Sequence, residues 1–424
     1  MRIENWQRNL IALFIGQLLT ASAFSFIFPF IPLYVQVLGV RGTNEAADWA
    51  AAIAAAAAFS MTITQPIWGN MADRVGRKPM VVRSMVGNIF TIIFMGLATS
   101  PEQLLVLRLI QGALMGTLAA STALVATSTP KPRLGFALGI MQVAVFLGSS
   151  AGPLVGGLIA DTFGYRMPFY VSSGLLVFGS TLVITMVRED FVRPPAGAPH
   201  PSVWAGSRSL FAMAFFPILV GIIFLIQLGG VIVSPVLSLF IAELHEGENA
   251  ATAAGLVLAA TGAASAISAI IIGRFSDRVG HTLILPVCLL GAAISYFPQA
   301  FVQQVWQLLL LRMLLGVFLG GLMPTANALV ARVVPEERRG AAYGLTATAS
   351  ALANGVGPLM AAAITTNLGM RAVFLATGAL FATVYGWVSF SFRKQPMPAA
   401  RAEAEVDALE GRRLARQKRG TFTR

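Results

Sequence analysis

The chain is short of the residues that most chemistry needs. It has one cysteine and three histidines in 424 residues. Cys288 lies in an apolar run, and a lone cysteine excludes an intrachain disulfide. His200, His245 and His281 stand in separate loops, and no His or Cys cluster has metal-ligand spacing, so no metal is expected. No glycine-rich loop ends in Lys-Ser or Lys-Thr, which excludes a P-loop for ATP hydrolysis. No nucleophile and base share one depth along the apolar runs, so there is no catalytic candidate and no enzyme is expected. Charge is scarce as well. Asp, Glu, Lys and Arg together make up 11% of the chain, too little to cover a soluble domain. All 18 acids fall in loops or at the ends of apolar runs, so no carboxylate is expected at mid-bilayer depth.

What remains is apolar. Hydrophobic residues make up 56%, and the mean hydropathy is +0.75. Runs near 20 residues read as membrane-spanning helices. Twelve are expected. In the first half they are Leu10–Val37, Trp49–Trp68, Met80–Ala98, Gln103–Ser128, Gly135–Ala160 and Met167–Val187. The second half gives Leu210–Ala242, Ala250–Ile272, Thr282–Phe301, Gln304–Val330, Ala341–Thr365 and Ala372–Phe392. The resulting organisation is a six-helix half over 1–187, a linker over 188–209, a second half over 210–392 and a basic tail over 393–424. The tail is expected to form a surface helix around Ala400–Lys418 or to stay disordered. The run Asn9 to Val37 is too long for a cleavable signal core and is read as span 1 itself.

The formal charge of +12 invites a nucleic-acid reading, but the cations sit in short loops between apolar runs. Arg74, Arg77, Lys78, Arg83, Arg133, Arg274, Arg278 and the tail fall on one side, with few basic residues on the other. That bias places both termini in the cytoplasm and makes the lipid bilayer the partner, with no nucleic acid.

The chain also repeats itself. Gly69, Asp73, Arg74 and Gly76 recur as Gly273, Asp277, Arg278 and Gly280, 204 positions on. Arg108, Gly112 and Gly116 recur as Arg312, Gly316 and Gly320 at the same offset. Gly152-Pro153 recurs as Gly357-Pro358 at 205. Two parallel six-helix repeats carrying their own loop signatures mark a transporter architecture.

Three motifs then carry a family resemblance. Gly69-x3-Asp73-Arg74-x-Gly76-Arg77-Lys78 is similar to the loop signature of the major facilitator superfamily. Arg108-x2-Gln111-Gly112-x3-Gly116 resembles its span 4 signature, and Gly139-x8-Gly148-x3-Gly152-Pro153-x2-Gly156-Gly157 resembles the span 5 signature of its drug:proton antiporter branch. Pro29 and Pro32 in span 1 are also similar to that branch. The resemblance covers roughly residues 8–393 and implies an all-α fold of 12 membrane helices in two six-helix repeats. It implies a conformational latch made of Gly69, Asp73, Arg74, Gly76, Arg77, Lys78, Asp277 and Arg278.

The residues support separate readings. Gly69 and Gly76 suit a tight turn with close backbone approach, and Asp73 can pair or cap a helix start. Arg108 is a cation in an apolar helix and should face inward, with Gln111 one turn on as its neighbour. Arg312, nearer a helix end, either does the same or snorkels to the interface. Gly148, Gly152 and Gly156 form a smooth stripe for close helix packing, and Pro153 bends it. Asp73 and Asp161 are the two acids offered for proton coupling, Asp161 at the outer end of span 5. The resemblance also implies a central cavity lined by spans 1, 4, 7 and 10, where the candidates are Gln17, Phe24, Phe28, Gln111, Met115, Gln227, Ser234, Met323 and Asn327. Met and aromatic side chains adapt to varied apolar ligands.

The expected function is secondary active export of amphipathic small molecules or drugs in exchange for protons, by alternating access. The expected protein is a monomer in the inner membrane, with no cofactor and the proton gradient as energy source. Many proton-coupled exporters of this kind carry a membrane-embedded acid. Its absence here argues against a cation preference and leaves room for neutral or weakly anionic amphiphiles. The alternatives are a same-fold transporter of one metabolite, such as a sugar or organic acid, and a membrane assembly or lipid-handling protein without solute turnover.

Overall fold

The structure is a computed structural model. It describes residues 5–130, 133–189, 191, 210–211, 213, 215–244, 249–334 and 339–394, without the side chains of residues 66, 73, 135, 277, 339–341, 393 and 394. Most of the linker and the tail over 395–424 lie outside the described residues.

Among the described residues, twelve helices are long and apolar enough to cross a membrane. They are α1 (Asn5–Val37), α2 (Thr43–Val75), α3 (Arg77–Leu97), α4 (Pro101–Ser128), α5 (Leu134–Phe163) and α6 (Met167–Met186). After the linker come α7 (Phe216–Leu244), α8 (Ala250–Val279), α9 (His281–Phe301), α10 (Val305–Val333), α11 (Arg339–Leu368) and α12 (Met370–Lys394). Among the described residues there is no strand. A helix satisfies its own backbone where lipid offers no partner, which is why every apolar run takes this form. Hydroxyls inside the spans follow the same rule. Thr20 donates to the Gly16 carbonyl, Thr325 to Gly321 and Thr377 to Val373, each one turn back.

The helix ends differ from the sequence reading in one consistent way. Span 2, expected over Trp49–Trp68, runs as helix from Thr43 to Val75 because polar turns continue beyond the apolar stretch. Its end is set by Gly76, whose φ of +104° suits glycine and starts α3 at once. Span 4 is not continuous. It breaks at Met115–Gly116, where Gly116 takes φ +141° between helices Pro101–Leu114 and Thr117–Ser128. Pro29 opens a short 3-10 turn, Phe28–Phe30, in α1, and α7 breaks at Val233 ahead of Pro235.

Two faces of the bundle are distinguished below by the chain. The signature face carries the α2–α3 and α8–α9 turns; the opposite face carries the α1–α2, α5–α6, α7–α8 and α11–α12 turns. The two halves meet toward the opposite face, along α5 with α8 and α2 with α11, and where the last turns of α7 meet α1 and α2. On the signature side Gly69, Gly139, Gly273 and Gly344 have open space where a side chain would stand. Among the described residues the halves are joined by hydrogen bonds at the opposite face, the closed face.

The cores of the halves are unlike. The second half has one continuous apolar cluster, from Leu308 and Tyr296 to Phe240 and Phe374, and it extends into Phe30, Leu33 and Ala160 across the closed face. The first half has two clusters, one around Phe26, Tyr34 and Ile92 and another around Leu13, Met85 and Met141. Buried Gln17, Thr20, Asn88, Gln111 and Thr117 stand between them.

Candidate functional site

A cavity of about 300 Å³ opens between the halves where α1, α2, α4, α7 and α11 converge. Phe28, Ile31, Pro32, Met61, Arg108, Met115, Ser234, Asn354 and Pro358 line it, together with Ala50, Ala54, Ala57 and Ala58 of α2. Its polar groups are few, and among the described residues no carboxylate reaches it. Such a cavity suits a ligand that is mostly apolar and fixed by one or two polar groups.

Arg108 is the charge in it. The residue is 6% exposed. Its Nη1 donates to Oε1 of Gln111 at 2.7 Å, the one-turn neighbour, and its guanidinium carbon lies 4.0 Å from the Phe28 ring centre. Phe28 is stacked on Phe24 at 5.2 Å, so Phe24 backs the cavity wall from one layer behind. The Nε of Arg108 is buried with no hydrogen-bond partner. A desolvated guanidinium holding a free donor at a cavity wall can recognise an acceptor or an anion that enters.

Of the residues expected at the cavity, Phe28, Met115 and Ser234 line it. Gln227 sits behind the wall, where its Nε2 donates to Oδ1 of Asn354, which does line it. Gln17 is buried in the polar layer of the first half. Met323 packs against the apolar cluster of the second half, and Asn327 lies one turn further along α10. Neither lines this cavity, and among the described residues no residue of α10 does. In its place stand α2 and α11. A clue was the alanine run from Ala50 to Ala58, whose small side chains leave room.

Arg312, the repeat counterpart of Arg108, does not snorkel. It is also 6% exposed, but it sits 5.8 Å from the ring centres of both Tyr296 and Phe374, inside its own half. Where Arg108 has Gln111, Arg312 has Leu315, fully buried.

The glycine stripe of α5 packs closely on a neighbouring helix of its own half. Gly148, Gly152 and Gly156 press on Leu18, Ser25 and Phe26 of α1, within one half. The contact between halves uses the neighbouring flank. There Gly157 meets the backbone of Ala251 and Thr252, and on α8 Gly255 meets Pro153 and Gly262 meets Ser150. Gly255 and Gly262 were not singled out from the sequence.

Asp161 closes this contact. Its Oδ2 accepts the backbone N–H of Thr252 at 2.6 Å, and its Oδ1 faces that of Ala251 at 3.4 Å. The carboxylate of one half thus caps the first turn of α8 in the other, where free N–H groups and the helix dipole favour a negative charge. Nearby Tyr165 has its phenol pushed up to about 12, first by burial and then by the Asp161 carboxylate. The repeat-related contact holds a weaker version: Thr366 of α11 donates to Oδ1 of Asp48 on α2 at 3.1 Å, exposed at the surface.

At the signature face, Glu189 caps a helix start. Its carboxylate accepts the backbone N–H groups of Arg77 and Lys78 at 2.8 and 2.7 Å, capping α3. Lys78 in turn donates from Nζ to the carbonyls of Ile184 and Val187 at the end of α6. Gly69 makes no close approach, Gly76 supplies the turn, and Arg74 and Arg278 are exposed. The side chains of Asp73 and Asp277 lie outside the described residues. Gly112 packs on the backbone of Ala57, which joins α4 to the alanine wall of α2.

A family model of the Major Facilitator Superfamily matches residues 13–245 and 219–421. The chain belongs to that superfamily. It is 35% identical over 393 residues to the multidrug resistance protein MdtG of Serratia proteamaculans, covering 91% of this chain and 94% of the relative. Over 397 residues it is 35% identical to MdtG of Salmonella typhimurium, covering 92% and 97%. Among solved structures, an inward-facing bacterial homologue of the lysosomal transporter Spinster superposes with TM-score 0.76 at 17% identity, covering 93% of this chain and all of that one. A D-xylose–proton symporter superposes at 0.75 and 15% identity, covering 91% and 97%. This member of the superfamily is therefore a multi-pass membrane transporter with twelve spans, built as two six-helix repeats.

Proposed function

We propose that the protein exports amphipathic small molecules from the cytoplasm in exchange for protons, by alternating access between its halves. The observation that carries this reading is the central cavity, apolar on nearly every side and holding one buried arginine without a carboxylate. The full-length likeness to multidrug resistance proteins supports the same reading. With the basic loops inside, the signature face is cytoplasmic, and the present state receives substrate from that side. Outward opening then requires the α5–α8 and α2–α11 contacts to part, breaking the Asp161 cap and the Asp48–Thr366 bond. Asp161 is the acid placed to couple this opening to a proton from outside, because its carboxylate holds the two halves together at the closed face. No cofactor enters this scheme, and one chain contains the whole cavity. The cavity's positive charge favours neutral or weakly anionic substrates over cations.

The test is efflux of a cationic, a neutral and an anionic fluorophore in energised inverted vesicles, with and without a protonophore. The expected outcome is protonophore-sensitive transport of the neutral and anionic dyes, with ethidium slowest. Transport of a single compound class alone would replace this reading with that of a specific metabolite carrier.

A further inference from the structure

We propose a second ligand site, outside the central cavity: the pocket between α2, α3 and the break in α4 binds an amphiphile by its oxyanion, with Arg83 as the recognising group. The pocket has a volume of about 300 Å³ and lies on the signature side of the first half. Arg83 and Arg77 line it, as do Trp68, Gly116, Met80 and Met115. Among the described residues no carboxylate does.

Three observations give the pocket its chemistry. Arg83 stacks over the Trp68 ring with its guanidinium carbon 3.5 Å from the ring centre. Its Nε and Nη1 are buried and make no hydrogen bond. Stacking fixes the plane of the fork while leaving its donors unused, which prepares a guanidinium for a bidentate oxyanion. Trp68 is itself held, because its Nε1 donates to the carbonyl of Ala113 at 2.6 Å. That carbonyl is freed by the break at Gly116, so the helix break and the stacked pair support each other. The remaining wall is apolar, with Met80, Met115 and the α4 alanines, and suits a tail.

The second repeat shows that this is no requirement of the fold. At the 204 offset Trp68 becomes Ile272, Arg83 becomes Val287, and Gly116 becomes Gly320 within an unbroken α10. Ile272 there packs at Gly321 together with Cys288, and Gly320 presses on Ser265. The first half alone has opened its helix and placed a stacked arginine in the space.

The test uses the purified full chain in a neutral maltoside detergent, titrated calorimetrically with dodecyl phosphate, dodecanol and inorganic phosphate. Dodecyl phosphate is expected to bind at least about tenfold tighter than either control, because each control lacks one half of the ligand. Arg83→Gln should weaken it about tenfold, and Arg83→Lys less, since the ammonium keeps charge but loses the fork. Arg133→Gln, an exposed cation at the same face, should change nothing. If Arg83→Gln does not elute as a folded species, Arg83→Lys and Trp68→Phe carry the comparison. A second arm repeats the titration in phosphatidylcholine nanodiscs with and without phosphatidylglycerol. Loss of dodecyl phosphate binding when phosphatidylglycerol is present assigns the site to a lipid headgroup, and its persistence assigns it to a free amphiphile. Equal binding by Arg83→Gln and wild type, or by dodecanol and dodecyl phosphate, overturns the proposal. None of these readouts involves transport, so failure of the export reading leaves this site standing, and the reverse.

Discussion

The two halves share a repeat but not a core. The second is one apolar cluster that continues across the closed face; the first is split by a layer of Gln17, Thr20, Asn88, Gln111 and Thr117. The split falls where the first half carries its distinctive features: Arg108 with Gln111, the break at Gly116, and the Arg83–Trp68 stack. In the second half the corresponding places hold Arg312 beside Leu315, an unbroken Gly320, and Ile272 with Val287. A continuous apolar core resists deformation, whereas a polar layer and a helix break supply groups that can exchange partners. The comparison therefore assigns ligand chemistry to the first half and rigidity to the second.

The sharpest way to break that assignment is to remove the two arginines in turn. Arg108→Ala should reduce efflux of an anionic dye at least tenfold while the protein still inserts and elutes as a folded species. Arg312→Ala removes a cation packed between Tyr296 and Phe374 and leaves a void. It should cost about 2–5 kcal/mol, the range for large-to-small changes in a core, and appear as lost folded protein. Transport per folded molecule should remain near wild type. Efflux normalised to the folded peak separates the two effects. An Arg312→Ala protein that folds fully yet fails to transport would end the division of labour between the halves.

A second comparison sets two glycines against each other. A side-chain carbon at Gly157 would lie 2.8 Å from the carbonyl carbon of Ala251, backbone against backbone, so the closed face must give. Gly174 in α6 has open space at the same point. Gly157→Ala should shift the population toward opening at the opposite face, whereas Gly174→Ala should be neutral or up to about 1 kcal/mol stabilising through helix propensity. Disulfide formation between Asp48→Cys and Thr366→Cys in a Cys288→Ser background reports the closed face. Its rate should fall several-fold in Gly157→Ala and hold in Gly174→Ala. Equal rates would show that Gly157 sits at a contact with room to spare.

Much of this was legible in the chain, and the limits have physical causes. Hydropathy and the repeat reveal twelve spans and two halves, because a bilayer forces apolar runs into helices whatever else they do. The pairing of Arg108 with Gln111 follows from one-turn spacing. Which way a helix faces does not. α5 is small on two adjacent flanks, and sequence cannot say that Gly148, Gly152 and Gly156 meet α1 while Gly157 meets α8. The alanines of α2 are cavity wall because α11 lies opposite, a partner that spacing within α2 does not name. Glu189 and Asp161 both look like loop acids, since the helix start that each caps is distant in sequence. Arg83 read as one more inside-facing cation, and its stack on Trp68 depends on the break at Gly116.

The smallest effect tests the closed face itself. Asp161 and Asp48 occupy repeat-related contacts, and both carboxylates come from the first half. Asp161 accepts from the start of a helix at a partly buried position, while Asp48 shares one exposed bond with a hydroxyl. Asp161→Asn keeps one carbonyl acceptor and loses the charge that faces the helix dipole, a change of about 0.5–1 kcal/mol. That corresponds to a two- to fivefold shift toward the open state. Asp48→Asn should shift it by less than twofold, because an exposed bond exchanges readily with water. Asp161→Asn should therefore raise access to the cavity from the opposite face, and Asp48→Asn should leave it near wild type. Alkylation of a cysteine placed at Ala54 on the cavity wall, followed from that face, measures the shift. Equal alkylation rates in wild type and Asp161→Asn would show that the cap does not hold the closed face.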